Sequence, residues 1–322
     1  MCGRSRCLGR AVVALLAGGV WCGAAWAQTA GTIRIIVPLP PGGGVDTVAR
    51  LLAEQIGRTQ GATLVVENRP GAGTIIGTEA VARAAPDGNT LLLVPDSFIV
   101  APQLRSVNYD ALTSFEPVCS LVATPTILAV NPASPYRTFG GFVDAARAEP
   151  GKLTVASVAG AALQVTFEML QQAAQIRTTF VSYPGTPPAV TAALGGHVDA
   201  VYSDFPTVAE QIKSGALRAL VTGARARLDT LPDIPTVAES GYPGYEADIW
   251  YGLFAPAKTP ADTTTRLAGW LSAAIEDPVV RAKLIAQGLR PVGLCGAGFR
   301  DLVARQYADY GRVIRAANIK AQ

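Results

Sequence analysis

The sequence predicts an α/β protein whose parallel sheets are covered on both faces, and three observations lead there. The first is residues 33–46, IRIIVPLPPGGGVD, where a β-branched run breaks at Pro38, Pro40 and Pro41 and then meets three glycines. Apolar positions Val45, Val48, Ala49, Leu51, Leu52 and Ile56 follow at helical spacing, so the order is strand, tight loop, helix. The second is a strand–helix alternation that continues over most of the chain. The third is its punctuation by Pro86-Asp87-Gly88, Pro150-Gly151, Pro184-Gly185 and Pro243-Gly244 turns.

Taken in order, strands are predicted at 33–37, 63–66, 90–94, 125–130, 153–156, 178–181, 198–202, 217–222 and 249–255. Each is a short β-branched or apolar run ended by turn residues. Helices are predicted at 45–56, 74–84, 138–148, 161–174, 187–194 and 208–214, where the apolar period changes from two to 3.6. After 255 the chain turns helical, with amphipathic stretches at 261–275, 279–287 and 298–317. Repeats, low-complexity tracts and charge runs are absent from the sequence.

The first 27 residues read as a secretory leader, with Arg4, Arg6 and Arg10 before an apolar core and Ala25-Trp26-Ala27 as the cleavage site. The apolar run is too short for a membrane span, and bulky Trp21 argues against acylation of Cys22. An exported, periplasmic protein of Gram-negative type is expected. The 27 Lys and Arg exceed the 24 Asp and Glu by three, and the leader holds three arginines and no acid, so the mature chain is neutral. A nucleic-acid surface is not expected from such a balance. About 295 mature residues suffice for two cores. Cys2, Cys7 and Cys22 leave with the leader; an oxidising compartment permits Cys119 and Cys295 to pair, but two cysteines make no framework and buried free thiols are expected.

In a parallel α/β sheet, ligands bind at the carboxyl ends of the strands. The loops there are rich in Gly, Ser and Asp: 38–46, 68–73, Asp96-Ser97, 157–162, 183–186 and Ser203-Asp204. The 38–46 loop alone reads equally as a plain turn or as an anion site, because free amides and the dipole at a helix start favour negative charge. Asp46 reads equally as a ligand-recognition group or as a helix-start carboxylate. Trp250 and Tyr251 read first as core aromatics and alternatively as a cleft wall.

Catalytic constellations are missing. The single histidine, His197, ends a Gly-Gly turn and reads as exposed, and no G-x-S-x-G elbow accompanies it. No metal-ligand spacing occurs and no phosphate-binding loop matches; Gly71-x-Gly73 fails as a dinucleotide fingerprint because Ile76 stands at the third glycine. Neither an enzyme nor a cofactor is expected.

The runs IRIIVPLPPGGGVD, VENRPGAGTIIG (66–77) and APDGNTLLL (85–93) resemble the Bug family, the extracytoplasmic solute receptors of tripartite tricarboxylate transporters. The likeness continues through FEPV (115–118), PGKL (150–153), GGHVD (195–199), IKSGALRAL (212–220), LPDIPTVAE (231–239) and WYGLFAP (250–256). It implies a two-lobed periplasmic-binding-protein fold of type II kind, with the ligand cleft between lobes. Lobe one would be 28–127 plus 250–322, and lobe two 128–249. It further implies a monomeric receptor for a small organic acid, with membrane permease subunits as partners. A sensor component signalling to a membrane kinase is the alternative.

Bug receptors hold carboxylates largely through main-chain amides. Carried over, the ligand-binding positions are Gly42, Gly43, Gly44, Val45, Asp46 and Ser97 in lobe one, and Ser157, Gly160, Ala161, Ala162, Tyr183, Gly185, Thr186 and Asp204 in lobe two. Two departures matter. The family's S-x-G-x-G-[ST] loop is here Ser157-Val158-Ala159-Gly160-Ala161-Ala162, and its Y-K-G loop is Tyr183-Pro184-Gly185, without an ammonium or one backbone donor. A ligand less polar than citrate is implied: a monocarboxylate, an aromatic acid or a nicotinate-like compound.

Overall fold

The computed structural model describes residues 32–320, so the expected leader and its cleavage site lie outside the described residues. The chain opens with β1 (Ile33–Val37), α1 (Gly44–Gln60), β2 (Leu64–Asn68), α2 (Ile75–Ala82) and β3 (Thr90–Pro95). A 3₁₀ turn (Asp96–Ile99) and α3 (Ala101–Leu104) lead to the long β4 (Phe115–Val130). Then come α4 (Phe139–Ala148), β5 (Thr154–Val158), α5 (Ala162–Ala174), β6 (Thr179–Tyr183), α6 (Thr186–Leu194), β7 (Ala200–Asp204), α7 (Phe205–Lys213) and β8 (Arg218–Thr222). The chain finishes with β9 (Asp248–Pro256), α8 (Ala261–Glu276), α9 (Pro278–Ala286), β10 (Arg290–Cys295) and α10 (Ala297–Ala316).

The opening pattern folds as its periodicity requires. Val45, Val48, Ala49, Leu52 and Ile56 form the buried stripe of α1, which ends where Gly61 takes a left-handed φ of 66° and returns its N–H to the Gly57 carbonyl. Two parallel sets result: β1 lies between β2 and β3, and β5 lies between β6 and β7.

The expectation of purely parallel sheets is corrected at the centre. β9 runs antiparallel to β3 and to β4, and β4 runs antiparallel to β7, β8 and β10. β4 belongs to both halves of the sheet. Its residues up to Pro125 pair with β9, where Pro125 faces Asp248, and from Thr126, which faces Asp204, they pair with β7 and β8. Pro117 sits beside a register shift, where a residue without an N–H is tolerated in a strand.

The core is continuous and aromatic under the first half. Phe98, Phe115, Trp250, Phe254 and Phe299 interlock, with centroids 4.8 Å apart for Phe98–Phe254 and 5.1 Å for Phe254–Phe299. A smaller apolar cluster, including Ile127, Val190, Val201 and Val208, lies beneath α6 and α7. Register also decides the cysteines. Cys119 on β4 stands opposite Cys295 on β10, and the two form a disulfide across 176 residues, correcting the expectation of free thiols.

Candidate ligand-binding site

Loops at strand ends from both halves of the sheet surround one cavity of about 290 Å³. From the first half come Leu39 after β1, Gly44 and Val45 at the start of α1, and Pro95, Asp96 and Ser97 after β3. From the second come Val158, Ala161, Ala162 and Leu163 around the start of α5, Gly185 and Thr186 at the start of α6, and Asp204 and Thr207 at the start of α7. Ile249 and Tyr251 on β9 close the wall. Four α-helices thus begin at one space.

None of the four starts has a side-chain cap hydrogen bond, and at three of them the preceding residue has no side chain that could supply one. The residues before α1, α5 and α6 are Gly43, Ala161 and Gly185, and none supplies a side-chain acceptor to the first turn. The first-turn N–H groups, which the helix cannot satisfy, therefore remain available to an acceptor in the cavity. The positive ends of the dipoles add to this. α6 contributes fewer donors, because Pro187 and Pro188 follow Thr186 directly. Among the described residues, no Lys, Arg or His lines the cavity.

Tyr251 and Trp250 resolve by alternation along β9. Trp250 is buried in the aromatic cluster and donates its indole N–H to Gln306, whereas Tyr251 faces the cavity with Ile249. Burial raises the Tyr251 hydroxyl pKa, with the nearby Asp204 and Asp96 carboxyls adding to the rise, so it stays a donor.

Eight of the expected residues, Gly44, Val45, Ser97, Ala161, Ala162, Gly185, Thr186 and Asp204, line this cavity. Gly42, Gly43, Asp46, Ser157, Gly160 and Tyr183 are not among its lining residues, and their surroundings give the reasons. Asp46 turns inward: Oδ2 accepts from Gly42 N (2.9 Å) and Arg50 Nε (3.0 Å), and Oδ1 accepts from Asn68 Nδ2 (2.9 Å). Burial opposes its charge, but these bonds prevail and hold its pKa below the usual value. Asp46 braces the loop, and Gly42 supplies the bend at φ 85°, which a side chain would strain. Ser157 is fully buried, its Oγ donating to Tyr202 O (2.8 Å). Gly160 spends its N–H on Gln164 Oε1 (2.7 Å), and Tyr183 packs against the smaller apolar cluster.

Sequence reasoning missed Pro95, Leu163, Thr207 and Ile249, which belong to no motif, and held Leu39, Asp96 and Val158 only as members of the loops 38–46, Asp96-Ser97 and 157–162. For Ile249 a signal existed: it stands two residues from Tyr251, on the same strand face. His197 is exposed in its turn, as read. Among the described residues, no His, Cys, Asp and Glu group could hold a metal, and no helix is long and apolar enough to cross a membrane.

A mixed α/β chain whose two sheet halves share a crossing strand and frame one cavity with strand-end loops has the architecture of the periplasmic binding proteins. The chain belongs to the tripartite tricarboxylate transporter receptor family, TctC, which matches residues 48–319. It is 34% identical over 292 residues to protein BugT of Bordetella pertussis, covering 89% of this chain and 90% of BugT. Among solved structures it is similar to R. palustris Rpa4515 with adipate, at TM-score 0.78 and 27% identity over 92% of this chain and 99% of the other. It is also similar to MatC from Rhodopseudomonas palustris with bound malate, at TM-score 0.75 and 29% identity over 89% and 99%.

Proposed function

We propose that the chain is an exported, periplasmic receptor that binds one small organic acid in this cavity and delivers it to the permease subunits of a tripartite tricarboxylate-type transporter. One observation carries the reading: three uncapped helix starts face a cavity whose lining, among the described residues, has no cation. Charge-assisted bonds to such amides contribute about 1.5–3 kcal/mol each, so two or three support binding near the ~8 kcal/mol of a micromolar complex. The relatives solved with adipate and malate support a carboxylate as ligand. Leu39, Val45, Val158, Leu163 and Ile249 in the wall favour an acid with an apolar body. Binding without turnover, by a monomer that needs no cofactor, is the proposed role.

Gly44, Val45, Ser97, Ala161, Ala162, Gly185, Thr186 and Asp204 are the proposed contacts, joined by Tyr251. The lobes are proposed as 28–127 plus 250–322 and 128–249, a division supported by the change of partner along β4 between Pro125 and Thr126. Mass spectrometry of small molecules that co-purify with the protein should find an organic acid, and calorimetry with that acid should return one site per chain. Scattering in its presence should show a smaller radius of gyration as the lobes close. Turnover of the acid, or co-purification with a membrane kinase in place of permease subunits, would overturn the transport reading.

A further inference from the structure

Two carboxyl groups stand in the cavity wall, and the amide cradle uses neither. They differ in access. Asp96, at the end of β3, is wholly buried; its Oδ2 accepts the Tyr310 hydroxyl from α10 at 3.0 Å, and its Oδ1 is shut off from solvent. Burial pushes its pKa up to about 8, so at neutral pH Asp96 is an uncharged, closed part of the wall.

Asp204, where β7 runs into α7, is only half-buried. Its Oδ2 accepts from Thr207 Oγ1 at 2.8 Å, and Thr207 lines the cavity too, so the pair lies at its surface. The nearest donor to Oδ1 is the Ser203 hydroxyl at 3.5 Å, which is long for a hydrogen bond and already has the Asp204 carbonyl at 3.1 Å. One carboxylate oxygen thus has its accepting capacity unspent. The Tyr251 hydroxyl, which faces the same cavity from β9, feels the Asp204 charge more than that of any other group. Burial raises the Asp204 pKa, against which the Thr207 bond and the dipole at the start of α7 favour the charged form.

We propose that Asp204 selects the ligand: its unspent oxygen accepts a hydrogen bond from a hydroxyl or amino group at the far end of a monocarboxylic acid, and its charge turns away an acid with a second carboxylate there. This rests on the carboxylate reading of the cavity. The spacing suits two separate ends. β7 lies beside the crossing strand β4, and the uncapped starts of α5 and α6 follow β5 and β6, one and two strands further out. At roughly 4.8 Å per strand, a carboxylate held at those amides is about 5–10 Å from the end of β7. A second carboxylate at Asp204 would meet a like charge where, among the described residues, no cation lines the cavity. An O–H or N–H group instead completes the acceptor, and an acid lacking that group leaves it unpaired.

Calorimetry with two matched series tests this: hexanoate, 6-hydroxyhexanoate, 6-aminohexanoate and adipate, and benzoate, 4-hydroxybenzoate, 4-aminobenzoate and terephthalate. In a series that binds, the hydroxy or the amino acid should bind about tenfold more tightly than the parent acid, the gain of one bond to a charged group, and the dicarboxylate more weakly than the parent. The two arms identify which donor is taken. Asp204→Asn keeps an acceptor but carries no charge, and should raise the affinity of the dicarboxylate relative to the preferred acid about tenfold. Parent acids that bind as tightly as both substituted acids, dicarboxylates that bind more tightly than either, or a ratio unchanged in Asp204→Asn overturn the proposal and leave the carboxylate reading intact. The wild-type comparisons decide without the variant. Failure of every acid to bind overturns that reading and the proposal together.

Discussion

The hydroxyl of Tyr251 stands 3.0 Å from the position a Cβ would occupy on Gly44. A residue of the crossing strand β9 thus closes over the first turn of α1, and the glycine is required by contact, its φ lying outside the left-handed range. Gly44→Ala should displace the Tyr251 ring and weaken acid binding about tenfold or more, while unfolding stability changes by less than about 1 kcal/mol, since alanine suits a helix. Adding Tyr251→Phe removes the nearest atom and leaves the next at 3.4 Å, an ordinary contact. A double-mutant cycle by calorimetry should therefore show partial recovery; strictly additive losses would deny the coupling.

Ala162 opens α5 after an extended Ala161, the setting in which proline fits the first helical position. Ala162→Pro keeps the helix and deletes one cavity-facing N–H. Binding should weaken about tenfold, the loss of one charge-assisted bond, with the far-ultraviolet circular dichroism unchanged. Arg69→Ala is the matched control. Arg69 pairs with Glu67 at 2.7 Å and is not among the lining residues, so its loss should alter affinity less than about twofold.

Asp46 predicts a pH dependence of stability. Its folded pKa is depressed below 3.8, so the stabilisation it gives is present above that value and is lost as pH falls through the folded value. Asp46→Asn should cost about 1.5 kcal/mol in urea unfolding at pH 7, the low end for bonds to a charge because Arg50 is half exposed. The gap between wild type and variant should close below about pH 4. A gap independent of pH would mean that the carboxylate charge has no part in bracing the loop.

The Cys119–Cys295 bond should leave no thiol for Ellman's reagent in the folded protein prepared without residues 1–27. Cys119→Ser with Cys295→Ser releases a loop of 176 residues and should lower stability by about 2–5 kcal/mol. Acid binding at a temperature where the variant stays folded should persist. Two titratable thiols per folded chain would contradict the pairing.

Local order was readable in the sequence wherever one period dominated. Helices α1, α5 and α8 and strands β1, β3 and β9 begin or end within a few residues of their patterns. The first part of β4 was hidden by Pro117 and by a bulge, and β10 by Pro291 and Gly293 within a short run. The antiparallel centre was invisible for another reason. β4 and β9 lie more than a hundred residues apart in the chain, and nothing local in either announces the other. The antiparallel pairings of β4 decide most of what was missed: the one with β9 brings Ile249 and Tyr251 to the cavity, and the one with β10 brings Cys295 to Cys119. Asp96 was visible only as a polar loop residue; its burial against Tyr310 depends on where the last helix packs.

A cavity lined by helix-end amides, and by no Lys, Arg or His among the described residues, also bears on how the medium acts on the receptor. Mobile ions shrink the reach of exposed charges from about 10 Å at 0.1 M salt to about 3 Å at 1 M, and surface ion pairs weaken with them. Peptide dipoles that meet an acid inside the fold have no such counter-ion atmosphere to lose. On the proposed reading, capture of the acid should therefore weaken less between about 0.1 M and 1 M salt than capture by exposed cations would.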